Sequence, residues 1–306
     1  MDSDPSLSTI VVSWRSRSET LELAAAFPAS RLHELLVVDN SGELDAGEIE
    51  RPGVRLLAPG RNLGFAGGAN LGARAAGGAL LFFLNPDATP RDPSAYESLR
   101  AGFLSAAEAA GLAPRLVDAD GSSQHRWQLR RLPTAAALLA HAFFWNPLAR
   151  ATDEPPTGAE IEQPAAAALA LRRDVFDRVG GFDEGYVPAW FEDVDLARRL
   201  AERRERLLYW PEAEFVHRRG GSLAALGYAG FLVAYDRNLA RYLRVHHGRG
   251  WALAFRSLVP LGAGLRLAAL PMRRPRRAPS RGAAARALAV AAAAALAGWP
   301  ARSPAP

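Results

Sequence analysis

The chain of 306 residues contains no cysteine, which excludes disulfides, thiolate metal sites and cysteine nucleophiles. Lysine is absent too. All 37 basic residues are arginine, so Schiff-base and P-loop lysine mechanisms are excluded. Acid is missing from one whole region: residues 237–306 hold 13 arginines and no Asp or Glu, while the other 24 arginines face all 32 acids. The body therefore carries −8 and the tail +13, which gives the formal net charge of +5. A nucleic-acid binder places its positive charge on a folded face. Here it lies in a terminal extension, so the expected partner is an anionic membrane surface and not nucleic acid. Long apolar runs are also lacking. Trp251 to Met272 is interrupted by Arg256, Pro260 and Arg266, and Ala283 to Trp299 is mostly alanine with Arg286 inside. Neither is expected to span a membrane; interfacial helices flanking Arg273-Arg274-Pro275-Arg276-Arg277 are expected instead. The first residues show no basic region followed by an apolar run, so no secretory signal is read. The expected location is cytoplasmic, peripheral on the inner face of the cell membrane.

What is present is an alternation of apolar runs and helical patterns. Thr9 to Trp14 and Leu35 to Val38 read as buried strands, with a helix from Glu19 to Phe27 between them and Ser18 as its N-cap. Val54 to Leu57 is a third strand. Strand, helix, strand with polar C-terminal ends predicts an α/β fold on a parallel sheet. Ligands gather at the carboxyl ends of such strands, where Asp39 would sit. The stretch Asn62 to Gly72 has glycines at 64, 67 and 68 before a helical pattern from Ala69 to Ala76. That composition suits backbone approaching a diphosphate at a helix N-terminus, or a plain glycine-rich turn. Ala79 to Leu84 is the most apolar strand and ends at Asn85-Pro86-Asp87-Ala88. A carboxylate there can ligate Mg²⁺ or Mn²⁺, or simply end a turn. Ser94 to Ala110 reads as helix and Leu112 to Val117 as strand. The proline- and acid-rich segment 151–164 reads as a mobile loop, and Ala165 to Leu171 as another strand.

The stretch Gly180 to Ser222 concentrates chemistry. Glu192, Asp193 and Asp195 open a helical pattern that runs to Glu205, with Trp190 and Phe191 just before them. The macrodipole favours acid in a first turn by about 0.3–1 kcal/mol each, which accounts for one or two of the three. A general base beside a bound cation accounts for the rest. Asp195 is expected to pair with Arg198 or Arg199. Leu207 to Trp210 and Phe215-Val216 read as two short strands about Pro211, with His217 immediately after as a structural histidine or a ligand.

The order of these motifs resembles glycosyltransferase family 2, in particular its rhamnosyltransferase-like and galactofuranosyltransferase-like branches. Val-Val-Ser-Trp, Val-Val-Asp-Asn, Asn-Leu-Gly-Phe-Ala-Gly-Gly-Ala-Asn-Leu-Gly, Leu-Asn-Pro-Asp-Ala, Gly-Gly-Phe-Asp-Glu, Phe-Glu-Asp-Val-Asp-Leu and Val-His follow one another from Thr9 to Tyr242. The resemblance implies the GT-A fold: a mostly parallel, Rossmann-like sheet flanked by helices. It implies a catalytic domain over 1–245 (donor half about 1–120, acceptor half about 121–245) and a basic, helical or partly disordered tail over 246–306. By motif, Ser13, Trp14, Asp39, Asn62, Gly64 and Asn70 belong to the donor side. Asp87 and His217 match the metal-binding pair, Asp193 the general base, and Glu192 its neighbour beside the acceptor. Three positions depart from the family pattern. Asn85 replaces the first aspartate of the metal motif, Arg15 stands where asparagine is common, and the lead from Tyr186 to Trp190 is a residue longer. The implied activity is inverting transfer of a sugar from a nucleoside-diphosphate donor, with deoxythymidine-diphosphate rhamnose expected. The implied acceptor is a saccharide or polyprenyl-diphosphate-linked saccharide in cell-envelope polysaccharide synthesis. The implied cofactor is a divalent cation, Mg²⁺ or Mn²⁺. A non-catalytic nucleotide-sugar or saccharide binder on the same fold is the alternative.

Overall fold

The computed structural model describes residues 5–143, 153–218, 221–272 and 278–299, without the side chains of 221–225. Eleven strands occur among them: β1 (Leu7–Ser13), β2 (His33–Asp39), β3 (Val54–Leu57), β4 (Leu80–Leu84), β5 (Ala88–Pro90), β6 (Ala109–Val117), β7 (Leu129–Arg130), β8 (Glu160–Ile161), β9 (Gln163–Pro164), β10 (Ala168–Arg172) and β11 (Arg206–His217). The helices are α1 (Arg17–Ala26), α2 (Ala46–Ile49), α3 (Gly64–Ala75), α4 (Ala95–Ser105), α5 (His125–Gln128), α6 (Ala135–Ala140), α7 (Arg173–Arg178), α8 (Glu192–Glu202), α9 (Gly221–His246), α10 (Arg249–Ala269) and α11 (Arg281–Ala297), with a 3-10 turn at His141–Phe143. They form two compact units. The first comprises Met1–Leu132, Arg150–Glu184 and Glu192–Arg219; the second comprises Pro133–Ala149, Gly185–Phe191 and Gly220–Pro306.

The first unit is built on a mixed sheet of order β3-β2-β1-β4-β10-β6-β11-β5, with β8 also paired to β11. The run β3-β2-β1-β4 is parallel, as is β6 with β11; β10 runs antiparallel to both neighbours. Apolar residues on both faces of β1, β2 and β4 make these strands buried on two sides, as a helix-covered parallel sheet requires. Phe82, Tyr96 and Phe215 pack in tilted and edge-on geometry beneath the β4–β11 region.

Several local expectations change. Helix α1 starts at Arg17 with Ser16 as the capping position and no side-chain cap bond, so Ser18 is not its N-cap. Helix α4 stops at Ser105, because the apolar residues from Ala109 are taken up by β6. The strand signals either side of Pro211 join into one strand, β11, whose register against β6 shifts between Trp210 and Glu214. A bulge lets one strand absorb the proline. The segment read as a mobile loop contributes β8 and β9, and Glu154 bonds Arg115 and the Tyr209 hydroxyl. Its residues 151 and 152 lie outside the described residues.

The glycine row also changes meaning. Helix α3 begins at Gly64, so Gly67, Gly68 and Gly72 lie within it. A Cβ on Gly68 would fall 2.8 Å from Val12 Cγ1, and one on Gly72 2.4 Å from Ile10 Cγ2. These glycines let the helix lie flush against β1. Close packing accounts for Gly68 and Gly72 without a diphosphate.

The second unit is helical. Its core gathers Phe231, Leu232, Ala263, Ala284, Ala287, Leu288 and Ala291 from α9, α10 and α11, with Leu270 just after α10. Helix α9 breaks at Gly227, where φ is 67°. The expected tail helices exist, but α10 is continuous through Arg256, Pro260 and Arg266. Contrary to the sequence expectation, it is long and apolar enough to cross a membrane by length and composition. The run Arg273–Arg277 and the residue Gly220 lie outside the described residues.

Candidate active site

Two groups of polar side chains form in the first unit. One depends on strand pairing. Strand β4 ends at Leu84, and the turn after it leads into β5, which pairs antiparallel with the end of β11 so that Ala88 lies opposite His217. Arg218 N donates to Asp87 O at 3.0 Å, closing the corner. This places His217 Nε2 3.4 Å from Asp87 Oδ1 and 3.5 Å from Asn85 Nδ2. His217 is buried and its ring stacks near Trp127, with centroids 5.2 Å apart.

The other nitrogen of His217 is fixed by Gln124. That amide donates through Nε2 to Asp118 Oδ1 (2.9 Å) and His217 O (2.7 Å), which orients its Oε1 as the acceptor for His217 Nδ1 at 3.0 Å. In the neutral ring the proton therefore sits on Nδ1, and Nε2 turns its lone pair toward the Asp87 carboxylate. Two electron-rich atoms facing one another suit a cation, and a histidine locked by a second hydrogen bond is the usual form of such a ligand. The donor set fits Mn²⁺ or Mg²⁺ with two protein ligands and the remaining positions open to phosphate oxygens. Among the described residues no group of three or more His, Asp or Glu converges as a closed metal cage.

The second group depends on a helix start. Glu192, Asp193 and Asp195 occupy the first turn of α8. Asp195 is buried and receives Arg199 Nε at 2.8 Å, while Arg199 Nη1 donates to Val179 O at 2.7 Å. It is a structural pair, of the two partners expected for it the second. Asp193 is held differently. Strands β7 and β9 form a two-residue ribbon with Arg130 opposite Gln163, and cross-strand partners share a face. Gln163 Nε2 donates to Asp193 Oδ2 at 3.3 Å, and Arg130 Nη2 lies 3.5 Å from the same oxygen. Oδ1 accepts from Val194 N at 2.8 Å.

Glu192 is buried at 7% exposure, and its Oε2 has no hydrogen-bond partner among the described residues. Desolvation first, and then the charge of Asp193, raise its pKa well above the usual carboxylate range. Adjacent carboxyls in unlike environments separate into an acid form and a base form. Burial thus favours the neutral form of Glu192, and Asp193, met by Arg130 and Gln163, is the one placed to accept a proton. The two residues before them, Trp190 and Phe191, have φ of 76° and 74°. For aromatic side chains that backbone is strained.

The remaining predicted residues line the ends of β1 and β2 or brace them. Ser13 and Asp39 are register partners at the last positions of β1 and β2. Ser13 Oγ accepts from Thr20 Oγ1 at 2.9 Å. Asp39 is buried and accepts four bonds, from Ser41 N, Ser41 Oγ, Gly42 N and Leu44 N. It organises the loop after β2. Trp14 stacks under the Arg15 guanidinium at 5.3 Å, and Arg15 takes a positive φ of 54°. Asn62 Oδ1 accepts from Gly64 N at 2.8 Å. Asn70 spends its whole amide on the Gly-Gly-Phe-Asp-Glu loop: Nδ2 donates to Phe182 O and Glu184 Oε1, and Oδ1 accepts from Phe182 N. It acts as a clamp between α3 and that loop. No hydrogen bond or ion pair among the described residues joins the Asp87–His217 pair to Asp193.

No role was legible in the sequence for Gln124, Arg130 or Gln163, and Asn40 entered only as part of the Val-Val-Asp-Asn motif. Asn40 Nδ2 donates to Gly64 O at 2.9 Å and ties α3 to the end of β2. Arg130 sits in an arginine-rich stretch and Gln163 in an acid-rich one, so neither composition marks it. Only the β7–β9 pairing brings them to Asp193.

No protein-family model matches the chain. It is 29% identical over 259 residues to the N-acetylglucosaminyl-diphospho-decaprenol L-rhamnosyltransferase of Mycobacterium tuberculosis, covering 78% of this chain and 81% of that protein. Among solved structures it is similar to the mannosyltransferase PcManGT of Pyrobaculum calidifontis in complex with GDP-Man and Mn²⁺. That likeness has a TM-score of 0.51 and 15% identity, over 96% of this chain and 88% of that one. It is also similar to GalNAc-T7 with UDP, GalNAc and Mn²⁺, with a TM-score of 0.55 and 14% identity over 80% of this chain. It spans about half of that longer protein, 48% of its chain.

Proposed function

The chain has the GT-A glycosyltransferase fold, and we propose that it is an inverting glycosyltransferase. In this reading it moves rhamnose or a similar sugar from a nucleoside diphosphate, with deoxythymidine-diphosphate rhamnose as the donor. The acceptor is a hydroxyl of a polyprenyl-diphosphate-linked saccharide. The 29% identity to an enzyme of that name supports the sugar and the acceptor class. The observation that carries the chemistry is the separation of environments on α8: a buried Glu192, whose pKa burial raises, beside an Asp193 held by Arg130 and Gln163.

Asp193 takes the proton from the acceptor hydroxyl as that oxygen attacks the anomeric carbon, and the bond from that carbon to the diphosphate breaks on the opposite side. General-base assistance of this kind is worth about 10²–10⁴-fold. Arg130 and Gln163 point the receiving oxygen, and the burial that raises the pKa of Glu192 disfavours a second charge beside the developing proton transfer. Asp87 and His217, with Asn85 adjoining, would hold the divalent cation, which when bound neutralises charge on a leaving diphosphate. Asp39 shapes the loop at the end of β2 that the donor base would face, with Ser13, Trp14, Asn62 and Gly64 around it. The protein works at the cytoplasmic face of the membrane, peripherally attached through its arginine-rich second unit.

The reading is tested by incubating purified protein with a panel of nucleoside-diphosphate sugars, with and without MnCl₂. Release of nucleoside diphosphate and transfer of labelled sugar to a synthetic polyprenyl-diphosphate saccharide are followed. Metal-dependent turnover with deoxythymidine-diphosphate rhamnose is expected. Tight donor binding without release or transfer under any condition would leave a saccharide- or nucleotide-sugar-binding protein in its place.

A further inference from the structure

Helix α10 is built inside out. Its inner side carries Phe255, Val259 and Ala263, but also both of its internal arginines. Arg256 reaches the end of α11, donating from Nε to Ala295 O at 2.6 Å and from Nη2 to Leu296 O at 2.7 Å. Arg266 donates from Nη2 to His141 O at 3.0 Å. Close approach makes these bonds possible: a Cβ on Gly262 would collide with Ala142 O.

Beyond Arg249 in its first turn, the outer side holds no charge. Leu253, Leu261 and Leu265 are 60%, 56% and 54% exposed. At 100° per residue they share one arc with Ser257, Gly264, Leu267 and Ala268. A helix covering a water-soluble core shows the reverse, with leucine inward and arginine outward. Exposed leucine in a contiguous face marks a surface that another apolar phase covers.

We propose that this leucine face of α10 docks in the plane of an anionic lipid bilayer. Charge complementarity selects that occupant: residues 237–306 contain 13 arginines and no acid, and Arg244, Arg249, Arg281 and Arg286 are exposed in and around the same helices. An anionic leaflet attracts such a segment, and leucine insertion then holds it. The arginine bonds to Ala295, Leu296 and His141 keep the opposite side of α10 on protein, so the helix lies along the surface and does not cross it. The proposal rests on the peripheral attachment read above and adds which side chains make it.

The test uses full-length protein, without donor or acceptor, in flotation with vesicles of phosphatidylglycerol and phosphatidylcholine and with phosphatidylcholine alone. The wild type is expected to float with the anionic vesicles and at least tenfold less with the neutral ones. The triple variant Leu253→Glu/Leu261→Glu/Leu265→Glu should lose flotation, since one buried leucine is worth about tenfold or more. The Leu→Gln triple and the thermal midpoint of each variant show that the loss is not unfolding. Because the chain has no cysteine, Ser257→Cys accepts one environment-sensitive dye, whose emission should shift blue only with anionic vesicles. A triple variant that floats like the wild type, or a dye that does not shift, overturns the leucine face and leaves peripheral attachment standing. A wild type that does not float overturns both. A wild-type dimer in solution that the triple variant converts to monomer, without vesicle binding, shows instead that the face joins two copies of this chain.

Discussion

Helices α8 and α10 are both amphipathic, yet they turn opposite sides to their surroundings. In α8 the apolar residues Val194, Leu196, Ala197 and Leu200 are buried, and Arg198 meets water and the neighbouring Glu202 at 2.9 Å. In α10 Leu253, Leu261 and Leu265 face out, and Arg256 and Arg266 bind carbonyls. The first pattern belongs to a helix that covers a core and presents one polar end to chemistry. The second belongs to a helix with an apolar phase on its outer side. The contrast separates the proton transfer proposed for α8 from the attachment proposed for α10.

The sharpest way to break this division is at Asp193. Asp193→Asn should lower kcat by about 10²–10⁴-fold with the thermal midpoint and vesicle binding unchanged; retained turnover would remove Asp193 as the base. Next is the strand-paired site. Asp87→Ala or His217→Ala is expected to abolish stabilisation of the protein by Mn²⁺ plus nucleoside diphosphate, measured by thermal shift, and to lower turnover strongly. Persisting metal-dependent stabilisation would move the cation elsewhere. Arg130→Met should cost about 1.5–3 kcal/mol, the range for hydrogen bonds to charged groups, read as a lower kcat at nearly constant KM for donor. Glu192→Gln is the mild counterpart on the same turn. Because burial favours the neutral form of Glu192, the amide imitates it, and most activity at neutral pH should remain.

The smallest effect tests the second unit by itself. Burial pushes Asp236 up to about 7, while burial and the nearby Arg266 push His141 down to about 4. The two side chains are 4.0 Å apart. A raised carboxyl stabilises the fold fully below its unfolded pKa and loses that contribution as pH rises through 7. A lowered histidine acts in the other direction, contributing above about 6.5 and losing it as pH falls toward 4. The two slopes offset each other over most of the acid range. Asp236→Asn removes the first, so its melting temperature should rise more steeply between pH 4 and 6.5 than that of the wild type and should not fall near pH 7. Parallel melting curves for the two proteins would contradict this.

Most strands were legible in the sequence because a strand buried on both faces must be a continuous apolar run, as Leu80 to Leu84 is. The acid cluster was legible because a helix start shows in the order of its residues. The packing role of Gly68 and Gly72 was not legible, since a sequence cannot show that Val12 and Ile10 lie against them. The strand about Pro211 was split in two, since a bulge on β11 depends on its partner β6.

By itself the sequence determined the class of fold, the stock of acids without lysine or cysteine, and a tail charged in one sense only. These follow from composition and local period, which need no knowledge of neighbours. Only the tertiary structure decided which groups meet. His217 reaches Asp87 because β5 pairs with β11, and Arg130 and Gln163 reach Asp193 because β7 pairs with β9. It also decided that Glu192 is buried, which raises its pKa, and that Arg256 and Arg266 of α10 turn inward. Burial and pairing are properties of distant segments brought together, so no window of sequence contains them.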